Sequence, residues 1–327
     1  MMLWASGRVG LRNGEDVIEN FRMKVFRVVA THLNFSRAAE ELHITQPSVS
    51  QQIRELEASY GAPLFQRTGA GVTLTPCGAA LLPFAQQLKE ISDEAFAAVV
   101  AAGGEQAGWL AIGASQTIGQ YLLPNLVAGF LRENPRVNVT AMSGNSDAML
   151  EAVTTHRIHL ALIEGPALRK DVHTEAFMED ELVLVVPAQH PWADHEVEIQ
   201  TLKDAPFLMR EFGSGSRRIV ENALTQAGLK SDALNIHMEL DSTEGLLNAV
   251  AAGLGFTFAS RWAVRDQLSL HTLRLARVRG LKLTRKFMLA YPAGHSPTCN
   301  AAAFRLHLLT HAREFAARKR RKLAQTA

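Results

Sequence analysis

The chain has 327 residues, 47% hydrophobic and 20% charged, with a formal net charge of +2. That length holds two or three compact units with cores of their own, and the composition excludes a disordered chain. The near-neutral balance also excludes a polybasic binder, so affinity for nucleic acid has to come from where charges sit.

Two cysteines, Cys77 and Cys299, cannot frame a disulfide scaffold and have no CxxC partners, so packed, reduced thiols are expected. No apolar run approaches the roughly 20 residues that a membrane span needs. Met1–Asn20 lacks a secretory pattern, which predicts a cytoplasmic protein. Glycines at 7, 10 and 14 argue against a stable helix there. Residues 1–17 therefore read as an N-terminal extension, either a disordered arm or the product of a start placed too early.

From Ile18 the pattern turns helical, with Phe26, Val29, Ala30 and Leu33 on an inward face. The stretch Phe35–Arg67 follows as two helices joined by a tight turn, then a wing. Ser36 is expected to cap a short helix whose inward residues are Ala38, Ala39 and Leu42. Thr45 is expected to cap the next, with Pro47 in its first turn, where the missing N–H costs nothing. Val49, Ile53 and Leu56 recur at i, i+4, i+7 and face the core. Rotation of about 100° per residue then puts Pro47, Gln51 and Arg54 on the opposite face, with Ser48 and Ser50 flanking. Short polar groups and one arginine suit a major groove, where amides and hydroxyls read base edges. Gln66–Thr75 makes a two-stranded wing around Gly69 and Gly71, from which Arg67 can reach a phosphate or the minor groove. Phe21–Thr75 carries six basic residues against four acidic ones, a small excess.

The run Ala38-Ala39, Leu42, Gln46-Pro47, Ser50, Ile53 and Leu56-Glu57, then Leu64-Phe65, Arg67, Leu74-Thr75 and Gly78, resembles the LysR-type transcriptional regulators throughout. The resemblance implies a DNA-binding regulator with Ser36, Gln46, Pro47, Ser48, Ser50, Gln51, Arg54 and Arg67 at the DNA. Many family members carry Arg after the recognition-helix serine. Gln51 stands there in this chain, which predicts a less phosphate-driven contact.

Thr75-Pro76 is a strong helix start. The helix it opens runs to about Ala102, where Gly103-Gly104 ends it. Leu81, Ala85, Leu88, Ser92, Ala95 and Val99 alternate spacings of four and three, as do Phe84, Leu88, Ile91, Ala95 and Ala98, which is what a two-helix coiled coil requires. In the family the equivalent linker helix dimerises, so a homodimer or homotetramer is expected.

From Ala107 short apolar strands (Trp109–Ala114, Val137–Met142, Leu160–Glu164) alternate with helices (Ile118–Arg132, Asp147–Thr155), a βαβαβ pattern with a parallel sheet. Glu181–Pro187 begins a second lobe, with helices near Ser216–Gln226 and Thr243–Gly253. Phe287–Tyr291 and a helix over Asn300–Ala317 return to the first lobe. The expected fold class is α/β with an N-terminal winged helix-turn-helix of all-α type. The domains are 18–75 for DNA binding, 76–104 for the linker helix and 105–327 for an effector domain. Its lobes are 107–178 with 283–318, and 179–282. Two lobes with two crossings resemble the effector domain of LysR-type regulators, itself similar to periplasmic solute-binding proteins. A solute-binding protein of a transport system is the alternative function. The missing signal peptide and Phe35–Arg67 argue against it.

Ligands of open parallel sheets bind at strand carboxyl ends beside helix N-termini. That rule selects Ser115, Gln116, Thr117, Gly144, Asn145 and Glu164 in the first lobe. In the second it selects Arg210, Thr243 and the run Ser214-Gly215-Ser216-Arg217, whose glycine-rich backbone can converge on an anion. ASQTIGQYLLP and PFLMREFGSGSR further resemble the branch containing regulators of carbon-fixation and sulfur-assimilation operons, which implies a small anionic effector. Glu164 is expected to disfavour charge on its side of the cleft. No nucleophile elbow or acid/base set is present, so no enzyme activity and no cofactor are expected. His307 and His311 lack a third metal ligand, and Arg318–Lys322 reads as a solvated helix end. Expected partners are promoter or operator DNA, RNA polymerase, the small anionic effector and further copies of the chain, with no membrane.

Overall fold

Phe26 packs against Phe65 with ring centroids 5.4 Å apart, and around this pair the N-terminal helices close over one apolar cluster. The structure, a computed structural model, describes residues 20–68, 71–102, 107–167, 169–294 and 296–325. Residues 1–17 lie outside them. Contacts divide the chain into two units: Trp109 closes the first, to which Arg136–Asn138 also belong, and Leu110 opens the second.

In the first unit α1 (Phe21–His32), α2 (Phe35–Leu42) and α3 (Gln46–Tyr60) bury Val25, Phe26, Val29, Ala38, Ala39, Val49, Ile53 and Leu56. A hairpin of β1 (Phe65–Thr68) and β2 (Gly71–Leu74) follows, registered Phe65 to Leu74. The Glu57 carboxylate accepts the N–H groups of Leu64 and Phe65 at 2.7 and 3.2 Å and fixes the turn into the hairpin. Then α4 (Pro76–Ala102) begins, capped by Thr75, whose Oγ1 accepts from the Gly78 N–H at 3.0 Å. A Cβ on Gly78 would lie 2.1 Å from the Leu64 carbonyl, so only glycine lets the helix start this close.

The second unit contains β3 (Ala107–Ser115, continuing from the first unit), α5 (Gln116–Tyr121), α6 (Leu123–Glu133), β4 (Arg136–Gly144), α7 (Ser146–Thr154) and β5 (Leu160–Glu164). It continues with β6 (Val172–Pro187), β7 (Glu196–Val197), β8 (Phe207–Arg210), α8 (Gly215–Gln226), β9 (Ile236–Leu240) and α9 (Thr243–Ala251). Last come β10 (Thr257–Ser260), α10 (Arg265–Ser269), β11 (Leu273–Val278), β12 (Leu283–Pro292) and α11 (Cys299–Gln325). The strands run β4-β3-β5-β12-β6-β11-β7 with β10 also on β6, and β8 pairs β9 separately. β3 and β5 are parallel, whereas β12 is antiparallel to both β5 and β6.

Three sequence expectations change. The helix expected over Ile118–Arg132 breaks at Leu122, because Pro124 cannot donate to the Gln120 carbonyl. The strand expected at Glu181–Pro187 starts nine residues earlier, so β6 is 16 residues long. It and β12 pass through both lobes as one antiparallel pair. α2 is capped by Asn34, which accepts from the N–H groups of Ser36 and Arg37 at 2.9 and 3.1 Å, and Ser36 lies inside the helix. Thr45 caps α3 as expected.

Candidate functional site

The outer face of α3 carries Pro47, Ser48, Gln51 and Arg54, all exposed, with Gln46 and Ser50 half-buried beside them. These side chains are organised among themselves. Gln46 Nε2 donates to Ser50 Oγ at 3.1 Å, and the Thr45 and Ser48 hydroxyls meet at 2.8 Å. Gln51 Nε2 donates to Glu55 Oε1 at 3.0 Å, and Glu55 also pairs with Arg22 at 2.8 Å. The face therefore offers amides, hydroxyls and the Arg54 guanidinium on a rigid helix, the chemistry that reads base edges. Ser36 is exposed on α2, and the backbone of Arg67 lies in β1 opposite Val72.

In the second unit four predicted residues converge at the lobe boundary. Ser115 Oγ and the Thr117 N–H donate to Glu164 Oε1 at 3.0 and 3.1 Å. Ser216 Oγ donates to Glu164 Oε2 at 2.5 Å. Gly215 makes the approach of α8 possible, since a Cβ there would sit 2.2 Å from the Glu164 carbonyl. Arg285, which the sequence reading missed, completes the cluster: its Nη1 reaches Glu164 Oε2 at 2.8 Å and Ser216 Oγ at 2.7 Å. Its Nε donates to Asp180 Oδ2 at 2.7 Å, and Ser260 Oγ holds Asp180 Oδ1 at 2.9 Å. Glu164, Asp180 and Arg285 are all buried. Burial pushes the Glu164 carboxyl up, but Arg285 and the donors from Ser216 and Thr117 outweigh it and bring the pKa to about 2. For Asp180 burial wins over Arg285, and its pKa is raised.

Residues 21–79 match the family model "Bacterial regulatory helix-turn-helix protein, lysR family", and residues 103–313 match "LysR substrate binding domain". The chain belongs to the LysR family of transcriptional regulators. It is 34% identical to the RuBisCO operon transcriptional regulator of Acidithiobacillus ferrooxidans, over 88% of this chain and 92% of that one. It is also 34% identical to the HTH-type transcriptional regulator CysL of Bacillus subtilis, over 84% and 90%. A full-length OxyR variant from Pseudomonas aeruginosa has the same fold, with a TM-score of 0.68 at 23% identity over 89% of this chain and 93% of that one.

Other predicted effector residues of this LysR-type regulator bond away from Glu164. Gln116 accepts from Gln120 on the surface of α5. Asn145 caps α7 and donates to the Phe212 carbonyl at 3.2 Å, with Gly144 just before it. Ser214 caps α8. Arg210 grips Glu211 at 2.8 and 3.0 Å and donates to Thr243 Oγ1 at 2.7 Å. Arg217 lies over the Phe212 ring and bonds Glu221, Glu239 and the Arg210 carbonyl. Glu164, expected to disfavour charge on its side of the cleft, has its own charge paired with Arg285 at 2.8 Å.

A cavity of about 520 Å³ opens beside β6 and β11, lined in part by Glu181, Phe258, Arg261, Arg277 and Lys282, and includes none of the predicted effector residues. Cys77 is exposed rather than packed, and Cys299 is half-buried. His307 Nδ1 meets Glu133 Oε2 at 3.1 Å and stacks on His311. Among the described residues no three His, Cys, Asp or Glu side chains are grouped to hold a metal, and no helix is long and apolar enough to cross a membrane. The side chains of Arg67 and of Arg318–Lys322 lie outside the described residues.

Proposed function

We propose that this regulator binds operator DNA through α3 as a dimer or tetramer, under the control of a small anionic metabolite bound between the lobes of its effector domain. Buried donors from separate segments meeting a carboxylate at the lobe boundary is the observation that carries the anionic reading, because such a cluster selects negative charge. The regulatory domain of CcmR from Synechocystis, alike in fold, was solved with 2-PG, itself an anion. Kinship with regulators of the RuBisCO operon and with CysL favours a metabolite of carbon or sulfur assimilation.

In this reading residues 18–75 bind DNA, 76–104 form the dimerising linker helix, and 105–327 hold the effector. Gln46, Pro47, Ser48, Ser50, Gln51 and Arg54 face the major groove, while Ser36 and Arg67 lie nearer the phosphates. The protein acts in the cytoplasm at promoters, where RNA polymerase is its further partner. Sequencing the genomic fragments that the protein retains identifies the operator. A thermal-shift screen of carboxylates, phosphates and sulfur oxyanions identifies the effector. Retention of random DNA only, together with no stabilisation by any anion, would overturn the proposal.

A further inference from the structure

Three observations set the Glu164 cluster apart from an ordinary buried ion pair. The first is convergence: Ser115, Thr117, Ser216 and Arg285 come from the starts of α5 and α8 and from β12, and all direct donors at one carboxylate. The second is that neither serine is spent on capping its own helix. Ser115 occupies the cap position of α5 but makes no capping bond, and Ser216 lies inside α8 beyond the cap that Ser214 supplies. The third is a surplus. Arg285 Nη2 is buried without a hydrogen-bond partner, a costly state for a charged donor. A carboxylate has two oxygens, and both are engaged; an anion with more acceptor oxygens has a use for the remaining N–H.

We propose that Ser115, Thr117, Ser216 and Arg285 form an oxyanion receptor, that Glu164 fills it as a tethered ligand, and that the anionic group of an effector binds by taking the place of Glu164. The inference rests on the anionic-effector reading above and adds a competitor built into the chain. The competitor has two consequences. Only the fraction of molecules with Glu164 withdrawn is competent to bind, so the apparent affinity of the wild type is reduced by that fraction. Simple carboxylates gain nothing over Glu164, which selects for a phosphate-like group or for a ligand with further contacts.

The test uses the full-length chain as wild type, Glu164→Ala and Glu164→Gln. The alanine variant vacates the receptor. In the glutamine variant an amide N–H₂ meets donors, so the side chain is expelled. Each is melted in sodium formate, acetate or phosphate against sodium chloride of equal ionic strength. Both variants should be destabilised in chloride and regain Tm saturably, by about 3 °C or more, in formate or phosphate. The wild type should respond to formate and acetate as it does to chloride, and to phosphate less than the variants do. If the variants respond no more than the wild type, or cannot be refolded even in formate or phosphate, the receptor does not exist. Rescue of the variants with no metabolite hit for the wild type would leave the receptor standing and remove the effector reading. A metabolite hit without rescue would do the reverse.

Discussion

At the scale of single residues, Arg285 faces two buried carboxylates, and its loss leaves both without a counter-charge. Replacing it with methionine should destabilise the effector domain by about 3–5 kcal/mol, read by urea unfolding, because one partner of a buried pair has been removed. The acid behaviour of Glu164 follows from its shift. Its folded pKa of about 2 lies below the ordinary 4.5. It therefore contributes stability that is fully present above that ordinary value and is lost as pH falls toward 2. Asp180 acts in the opposite sense, since its raised pKa makes protonation favourable to the fold. The stability difference between wild type and Glu164→Gln should accordingly shrink between about pH 4.5 and pH 3. A difference that stays constant over that range would show that Glu164 carries no charge in the fold. On α3, Gln51→Ala should lower the preference for operator over random DNA by about 1–3 kcal/mol. Equal losses on both DNAs would remove Gln51 from base readout.

At the scale of elements, α4 separates two faces that the heptad reading had merged. Ala85 and Ser92 are buried, whereas Phe84, Leu88 and Ile91 are exposed at i, i+4, i+7, with Val99 exposed further along. The second face is the exposed apolar seam, and in the dimer proposed above Leu88→Asp should place a charge in the contact between the two copies of α4. Sedimentation and gel shift check this: the variant should dissociate and lose operator binding. Wild-type sedimentation with intact binding would exclude the seam. α4 was legible because its start signal, Thr75-Pro76, is local, and so were Thr45-Gln46-Pro47 for α3 and the apolar run of β5. Asn34 was missed in favour of Ser36 because both are good capping residues only two positions apart. β6 was truncated because Glu179 and Asp180 interrupt its apolar pattern. The reason for Asp180 lies 105 positions away at Arg285, a pairing that no local window contains. The same distance hid Arg285 from the effector site, while Ser115, Thr117 and Ser216 were found because helix N-termini can be recognised from neighbouring residues.

At the scale of the whole molecule, the lobes of the effector domain share β6 and β12, whose register shifts between Phe287 and Met288. Across the lobe boundary lie the Glu164–Ser216 bond, the 2.9 Å pair of Arg218 with Asp147, and the Asn145 bond to the Phe212 carbonyl. A ligand that exchanges any of these contacts alters the balance between lobe arrangements, and only its differential affinity for those arrangements can reach the DNA-binding helices. At 100 times its Kd an effector should stabilise the domain by about 2.7 kcal/mol, provided it does not bind the unfolded chain. The coupling itself is reciprocal. If saturating effector changes operator affinity by some factor, saturating operator must change effector affinity by the same factor, typically about 5- to 150-fold. Fluorescence anisotropy on labelled operator gives the first factor, and calorimetry of effector into free and operator-bound protein gives the second. Both should be taken at one protein concentration and one salt concentration, since phosphate contacts make operator affinity steeply salt-dependent. Equal factors identify a single equilibrium that both ligands bias. Unequal factors would show that a change of assembly state intervenes, and the simple picture of lobes passing a signal to one dimer would fall.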